Sequence, residues 1–239
     1  MITRRPSSAM VVAVMLLAGA VIAACGVAPA RAGALTVMPV RIEVPSTRRF
    51  CALTLGNRAD RPVTVQVRGY GWTRDTQGND TLTPDPAFVI NPPIATIAPQ
   101  TERLIRCSLP AAHPGAAPEQ QWRLIVDELP DPTLARPGVV QTLLRISVPV
   151  FRADEKAAPR LTAAITATGV RLSNVGTRYV RVLSVSTPAQ DTPTLSDRAF
   201  YLLAGGTLDL PVERTLLAAS AVHVKTEEGA FDVPLSAAK

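Results

Sequence analysis

From Leu35 onward, apolar and polar positions alternate in short runs, each closed by proline, glycine or a polar cluster. Val63, Val65 and Val67 fall on one face of an extended segment running to Trp72, and Phe50 to Gly56 and Glu102 to Leu109 alternate in the same way. A period of two sends successive side chains to opposite faces, so each run predicts a strand with one buried and one wet face. Leu35 to Val44 is a first strand broken at Pro39, Gly78-Asn79 marks a hairpin between Asp75 and Asp80, and Phe88 to Ile90 leads into Asn91-Pro92-Pro93. Gln120 to Leu129 and Gly138 to Phe151 complete about seven strands, the number of an immunoglobulin-like sandwich. The polar segment Arg152 to Pro159 reads as a linker. Beyond it, Leu161 to Ala167, Gly169 to Asn174, Tyr179 to Ser186, Arg198 to Leu203, Thr207 to Pro211, Ala221 to Thr226 and Ala230 to Val233 repeat the style at lower density. With 22 prolines and no helical periodicity, the chain is predicted to be all-β: two immunoglobulin-like β-sandwich domains, the second smaller.

The stretch Gly138 to Phe151 departs from simple alternation. Val140, Thr142, Leu144, Ile146 and Val148 form a long apolar row on one face, while Gln141, Arg145 and Ser147 face the other way. Pro149 cannot donate to a ladder and marks an edge or the end of pairing. Two readings stay open: a half-buried strand of an ordinary antiparallel domain, or an edge strand lent to another protein by strand addition.

The start of the chain sets the compartment. Arg4 and Arg5, an apolar run from Met10 to Cys25, and Ala30-Arg31-Ala32 have the order of a secretory leader over residues 1–32. A rival reading takes Ile22-Ala23-Ala24-Cys25 as a lipobox, with Cys25 lipidated. Removal of the leader takes three arginines and no acidic residue, lowering the net charge from +6 to near +3, so the basic balance is weak support for nucleic acid. No other apolar stretch approaches the ~18 residues of a membrane span. The remaining chain of about 207 residues suits two domains, 33–153 and 154–239. In an oxidising compartment Cys51 and Cys107 are expected to pair, closing a loop of roughly 57 residues for about 4 kcal/mol in the chain-entropy model; two free core thiols are the alternative.

Candidate chemistry is sparse. His113 lies in a Pro/Ala-rich loop and His223 inside an alternating strand, and neither belongs to a spaced ligand set, so no metal or other cofactor is expected. There is no nucleophile elbow, phosphate loop or dinucleotide fingerprint. Asp127 and Glu128, adjacent on a strand, point to opposite faces and make a poor two-carboxylate site. Nothing supports an enzyme.

In order and spacing, V-M-P-V-R-I-E-V at Val37 to Val44, L-G-N at Leu55 to Asn57, P-P-I-A-T-I-A-P at Pro92 to Pro99, L-I-R-C-S at Leu104 to Ser108 and D-E-L-P at Asp127 to Pro130 resemble the periplasmic chaperones of the chaperone-usher pilus pathway. The short loop from Pro130 to Gly138, the cysteine pair and the S-V-P-V-F ending resemble the archaic, spore-coat-type branch. The resemblance implies two domains set at an angle about a cleft, a location in the periplasm, and partners in the form of incomplete pilus subunits and an outer-membrane usher. It implies that Val140, Thr142, Leu144 and Ile146 fill a subunit's groove and that Arg41 anchors the subunit's terminal carboxylate. The family's second anchor, a donor-strand lysine, aligns with Pro149, leaving Arg145 as the expected substitute. Arg106 and Glu128, with Glu227 or Glu228, are implied as a salt bridge fixing the interdomain angle. The other function class open to the sequence is an exported structural or adhesive sandwich, lipid-anchored at Cys25, whose apolar strand is core.

Overall fold

The computed structural model describes residues 35–111, 117–138, 140–187, 194–212 and 220–237. The leader, Cys25 and His113 lie outside the described residues. The first sandwich is built from β1 (Leu35–Met38), β2 (Ile42–Pro45), β3 (Phe50–Asn57), β4 (Val63–Arg74), β5 (Asp80–Pro84), β6 (Val89–Asn91), β7 (Ile94–Ile97), β8 (Glu102–Ser108), β9 (Glu119–Glu128) and β10 (Arg145–Ala153). One sheet has the order β1-β3-β8-β6; the other runs β2-β10-β9-β4-β5, with β7 also beside β4. Leu53, Leu55 and Ile105 from the first sheet meet Val65, Val67, Leu124, Val126, Val148 and Val150 from the second in one buried core. Each such side chain contributes roughly 1.5 to 3 kcal/mol of burial, which is why the alternating pattern fixes the register of both sheets.

The break at Pro39 is a change of sheet. β1 pairs antiparallel with β3, whereas β2, just past the proline, pairs parallel with β10. Cys51 and Cys107 stand directly opposite in the β3/β8 ladder and form a disulfide, with Cα atoms 4.9 Å apart.

The second sandwich comprises β11 (Leu161–Ile165), β12 (Gly169–Asn174), β13 (Val180–Ser186), β14 (Thr194–Ser196), β15 (Phe200–Leu202), β16 (Thr207–Pro211), β17 (Ala221–Thr226) and β18 (Ala230–Ala237). Its hydrogen-bonded order is β14-β13-β17-β18-β11-β12-β16, with β15 beside β13. Leu172, Val182, Val185, Val222 and Val224 are at its centre. A third apolar cluster joins the two halves: Trp72 and Phe151 of the first pack with Tyr179, Leu203 and Tyr201 of the second. Phe151 and Tyr179 stack with ring centroids 3.7 Å apart, and Tyr201 meets Trp72 edge-on at 5.7 Å.

Two expectations are corrected. The strand expected from Gly138 begins only at Arg145, because its ladder partner β9 ends at Glu128 and pairing stops at Arg145 opposite Asp127. Before that point the Gln141 amide replaces a strand partner, accepting the Asp131 N–H and donating to the Asp131 carbonyl, both at 3.0 Å. Arg152, expected in the linker, is buried within β10, where it donates to Gln120 and to the Pro110 carbonyl at 2.7 Å.

Candidate functional site

β10 has one complete edge and one incomplete edge. β9 pairs along all of Arg145–Ala153, but on the other side β2 pairs only from Val150 to Ala153. Among the described residues, Arg145 to Pro149 therefore have no strand on that side, and an unpaired row of backbone groups is a template for an incoming strand. The apolar row divides along its length. Val148 and Val150 belong to the core, Leu144 and Ile146 lie half-buried at its rim, Thr142 is exposed, and Val140 is 90% exposed. Leu143, of opposite parity, is also exposed.

The face of this sheet turned away from the core carries charge. Arg123 of β9 lies directly across the ladder from Pro149 of β10, and both line a cavity of about 620 Å³ together with Arg41, Arg181, Tyr201 and Glu227. Arg41 donates from Nε to Glu43 at 3.1 Å and from Nη1 to Glu227 at 2.5 Å, while Arg181 holds the other Glu227 oxygen at 2.7 Å. Burial alone would lower the Arg41 pKa, but its hydrogen bonds to Glu227 and Tyr201 outweigh that and raise it. For Glu227, burial pushes the pKa up, and the Arg41 and Arg181 guanidiniums bring it below the usual carboxylate range. Glu43 also accepts from the Tyr179 hydroxyl at 2.5 Å and from Arg178, so charges from both sandwiches are interlaced. Deeper in, the buried Glu119 accepts the Tyr179 N–H with both oxygens at 2.9 Å.

Arg41 thus lines this cavity, and Glu227 joins it there. Arg145 does not: across the ladder it bonds Asp127, which Arg68 also holds at 2.5 Å. For Asp127, burial acts upward, and the bonds from Arg145 and Arg68 leave the pKa lowered. Arg106, Glu128 and Glu227 do not form the expected bridge. Arg106 is exposed in the sheet of β3 and β8, opposite Ala52 and Asn91, while the Glu128 carboxylate, in the other sheet, accepts the Leu144 N–H at 3.3 Å. Sequence reasoning missed Glu119, Arg123, Arg178 and Arg181, whose roles depend on register and on the meeting of two sandwiches. His223 pairs with Asp232 across β17 and β18 at 2.7 Å, and no group of three or more potential metal ligands occurs among the described residues.

Comparison with known families matches residues 34–156 to the pili and flagellar-assembly chaperones, over their PapD N-terminal domain. The chain belongs to this chaperone family. No curated protein matches it. Among solved structures, this pilus chaperone is similar to a chain of the CsuC-CsuE chaperone-tip adhesion subunit pre-assembly complex from archaic chaperone-usher Csu pili of Acinetobacter baumannii, with 19% identity, TM-score 0.63, and coverage of 86% of this chain and 99% of that one. It is also similar to the Pseudomonas aeruginosa CupB2 chaperone (19% identity, TM-score 0.60, 84% and 100% covered). A third likeness is to the Salmonella enterica SafA pilin complex with the SafB chaperone (14% identity, TM-score 0.60, 86% and 98% covered). These likenesses extend the chaperone fold over both sandwiches, beyond the family match in the first.

Proposed function

We propose that this family member is a noncatalytic periplasmic chaperone that holds incomplete pilus subunits by donating a strand and delivers them to an outer-membrane usher. The observation that carries the reading is the free edge of β10 at Arg145 to Pro149, preceded by a segment whose Val140 is almost wholly exposed. A subunit sandwich missing a strand has an apolar groove, and an extended segment with alternate aliphatic side chains fits it while its backbone completes the sheet. Val140, Thr142, Leu144 and Ile146 have that spacing. Three aliphatic groups supply at most about 5 to 9 kcal/mol of burial, from which ordering of both partners subtracts. Residues 140–144 would then straighten into β10 on binding, with the Gln141 to Asp131 bonds released.

In this reading, residues 1–32 are the export leader, 33–153 the donor domain and 154–239 the second domain, and the loop and cysteine pattern assign the chain to the archaic branch. An adhesive sandwich with a sealed strand is disfavoured by the exposure of Val140. The test is periplasmic co-expression with pilus subunits from the same genome. Val140→Glu and Leu144→Glu should each reduce subunit co-purification at least tenfold, with the melting temperature of Val140→Glu unchanged because that side chain touches no core. Wild-type levels of capture by both variants would overturn strand donation.

A further inference from the structure

We propose that the tip of the β4–β5 hairpin, Asp75 to Asn79, is a strap that grips the free edge of β16 and so holds the second sandwich in a fixed orientation to the first. This strap is independent of strand donation at β10.

β16 is the last strand in the hydrogen-bonded order of the second sandwich, with β12 on one side. Backbone groups on the other edge of such a strand need a partner from elsewhere. Asp209, opposite Arg171 in the β12 ladder, donates its N–H to the Thr76 carbonyl at the hairpin tip, at 2.8 Å. The turn also lies against the neighbouring side chain: a Cβ on Gly78 would sit 3.0 Å from the Leu208 Cδ1, and Gly78 has φ +85°, so both space and backbone call for glycine. A second grip lies at the base of the hairpin. Arg74, the last residue of β4, donates from Nη1 to the Tyr201 carbonyl of β15 at 2.8 Å, while Asp80 at the start of β5 holds its Nε at 2.8 Å.

β15 pairs with β13 and β16 with β12, so the hairpin is tied to two strands that are not neighbours in the sheet order. The aromatic cluster of Trp72, Phe151, Tyr179 and Tyr201 is one centre of contact between the sandwiches, and the tip supplies another. A joint held at one centre can swivel about it, whereas a second attachment fixes the rotation. The tip is built before it meets β16. The Asp75 carboxylate accepts the N–H groups of Gln77 and Asn79 at 3.0 and 2.8 Å and the Asn79 amide at 2.9 Å. The Gly78 N–H donates to the Asp75 carbonyl and the Asp75 N–H to the Asn79 carbonyl, both at 3.1 Å. A turn so ordered by its own aspartate loses little further freedom when it docks. The cavity of about 620 Å³ is lined by Arg41 and Arg123 from one sandwich and Arg181, Tyr201 and Glu227 from the other, so its shape follows the orientation that the strap holds.

The test removes the grip from each side. Asp209→Pro deletes the N–H that Thr76 accepts, and Pro211, two residues on and of the same parity, shows that this edge carries a proline. Asp209→Ala is the control, because it keeps the N–H and removes only the carboxylate that pairs with Arg171. Asp75→Ala dismantles the tip from the first sandwich, at an exposed residue outside both cores. Residual dipolar couplings report the relative orientation of the sandwiches, and amide exchange reports the Asp209 N–H. The two sandwiches should share one alignment tensor in the wild type and in Asp209→Ala and show two different tensors in Asp209→Pro. The Asp209 amide should exchange about tenfold faster or more in Asp75→Ala than in the wild type. A single shared tensor in a folded Asp209→Pro protein overturns the strap. If Asp209→Pro does not fold, the exchange measurement decides: an Asp209 rate unchanged by Asp75→Ala overturns it equally.

Discussion

Two buried asparagines perform the same task, one in each sandwich. Asn57 ends β3, donates to the carbonyls of Arg61 and Ile97 at 2.7 and 3.0 Å, and accepts the Ala59 N–H at 2.9 Å. Asn174 ends β12, donates to Arg178 and Leu202 at 2.7 and 3.2 Å, and accepts from Gly176 and Arg160 at 3.0 and 3.1 Å. Each side chain pins the turn that follows its strand and ties it to a strand from elsewhere in the chain. Gly176 follows from the same crowding, since a Cβ there would lie 2.4 Å from the Ala158 carbonyl oxygen. Removing either amide leaves buried backbone groups unpaired, at about 1 to 3 kcal/mol for each group water cannot reach. Asn57→Ala and Asn174→Ala should therefore each lower unfolding free energy by about 2 to 4 kcal/mol, with similar losses because each side chain has four partners. Urea titration checks this; a loss below about 0.5 kcal/mol would mean that solvent takes over these bonds.

At the scale of elements, strands with one dry face were legible and those without were not. Gly169–Asn174, Thr207–Pro211 and Ala221–Thr226 match the alternation residue for residue, because each presents a clear core face. Asp80–Pro84 was invisible, since all five residues are exposed and only pairing with β4 makes them a strand. The apolar run from Gly138 misled in the opposite way: periodicity reports which side chains could share a face, whereas a strand also needs a partner backbone, and β9 ends at Glu128, whose N–H donates to the Leu144 carbonyl at 2.8 Å. The same limit hid the site. Arg41 was recognisable from its motif, but Arg123 and Glu119 acquire meaning only from what the ladder and the second sandwich place beside them. The Cys51 and Cys107 pairing needed no register, and its effect can be stated from chain separation. Bridging positions 56 residues apart limits the unfolded chain, so replacing both cysteines with serine should lower stability by about 4 kcal/mol in the chain-entropy model. Denaturant melts of the double variant and of the reduced wild type should agree; an unchanged midpoint in both would show that the bridge contributes nothing.

For the molecule as a whole, the junction between the sandwiches responds to pH through Glu119. This carboxylate at the start of β9 is buried, and burial pushes its pKa from the ordinary 4.5 to about 7, against the pull of the Tyr179 N–H and the Arg178 charge. The folded form therefore binds a proton between about pH 4.5 and 7 that the unfolded chain releases, and the stability so gained is complete below 4.5 and lost as the pH rises through 7. Asp127 and Glu227, with lowered pKa values, act in the other direction, contributing stability at neutral pH that is lost on acidification. Comparison of the wild type with Glu119→Gln separates the two, because the amide keeps an oxygen for the Tyr179 N–H and does not titrate. The variant's stability advantage should grow by about 2 to 3 kcal/mol between pH 5 and pH 8. A pH-independent difference would mean that Glu119 stays ionised in the folded protein. With the charge absent, the stack of Phe151 on Tyr179 and the bond from Tyr179 to Glu43 remain to hold the two halves together. Amide exchange at Tyr179 should accordingly slow in Glu119→Gln at pH 8 and match the wild type at pH 5, locating the pH response at this junction rather than in either core.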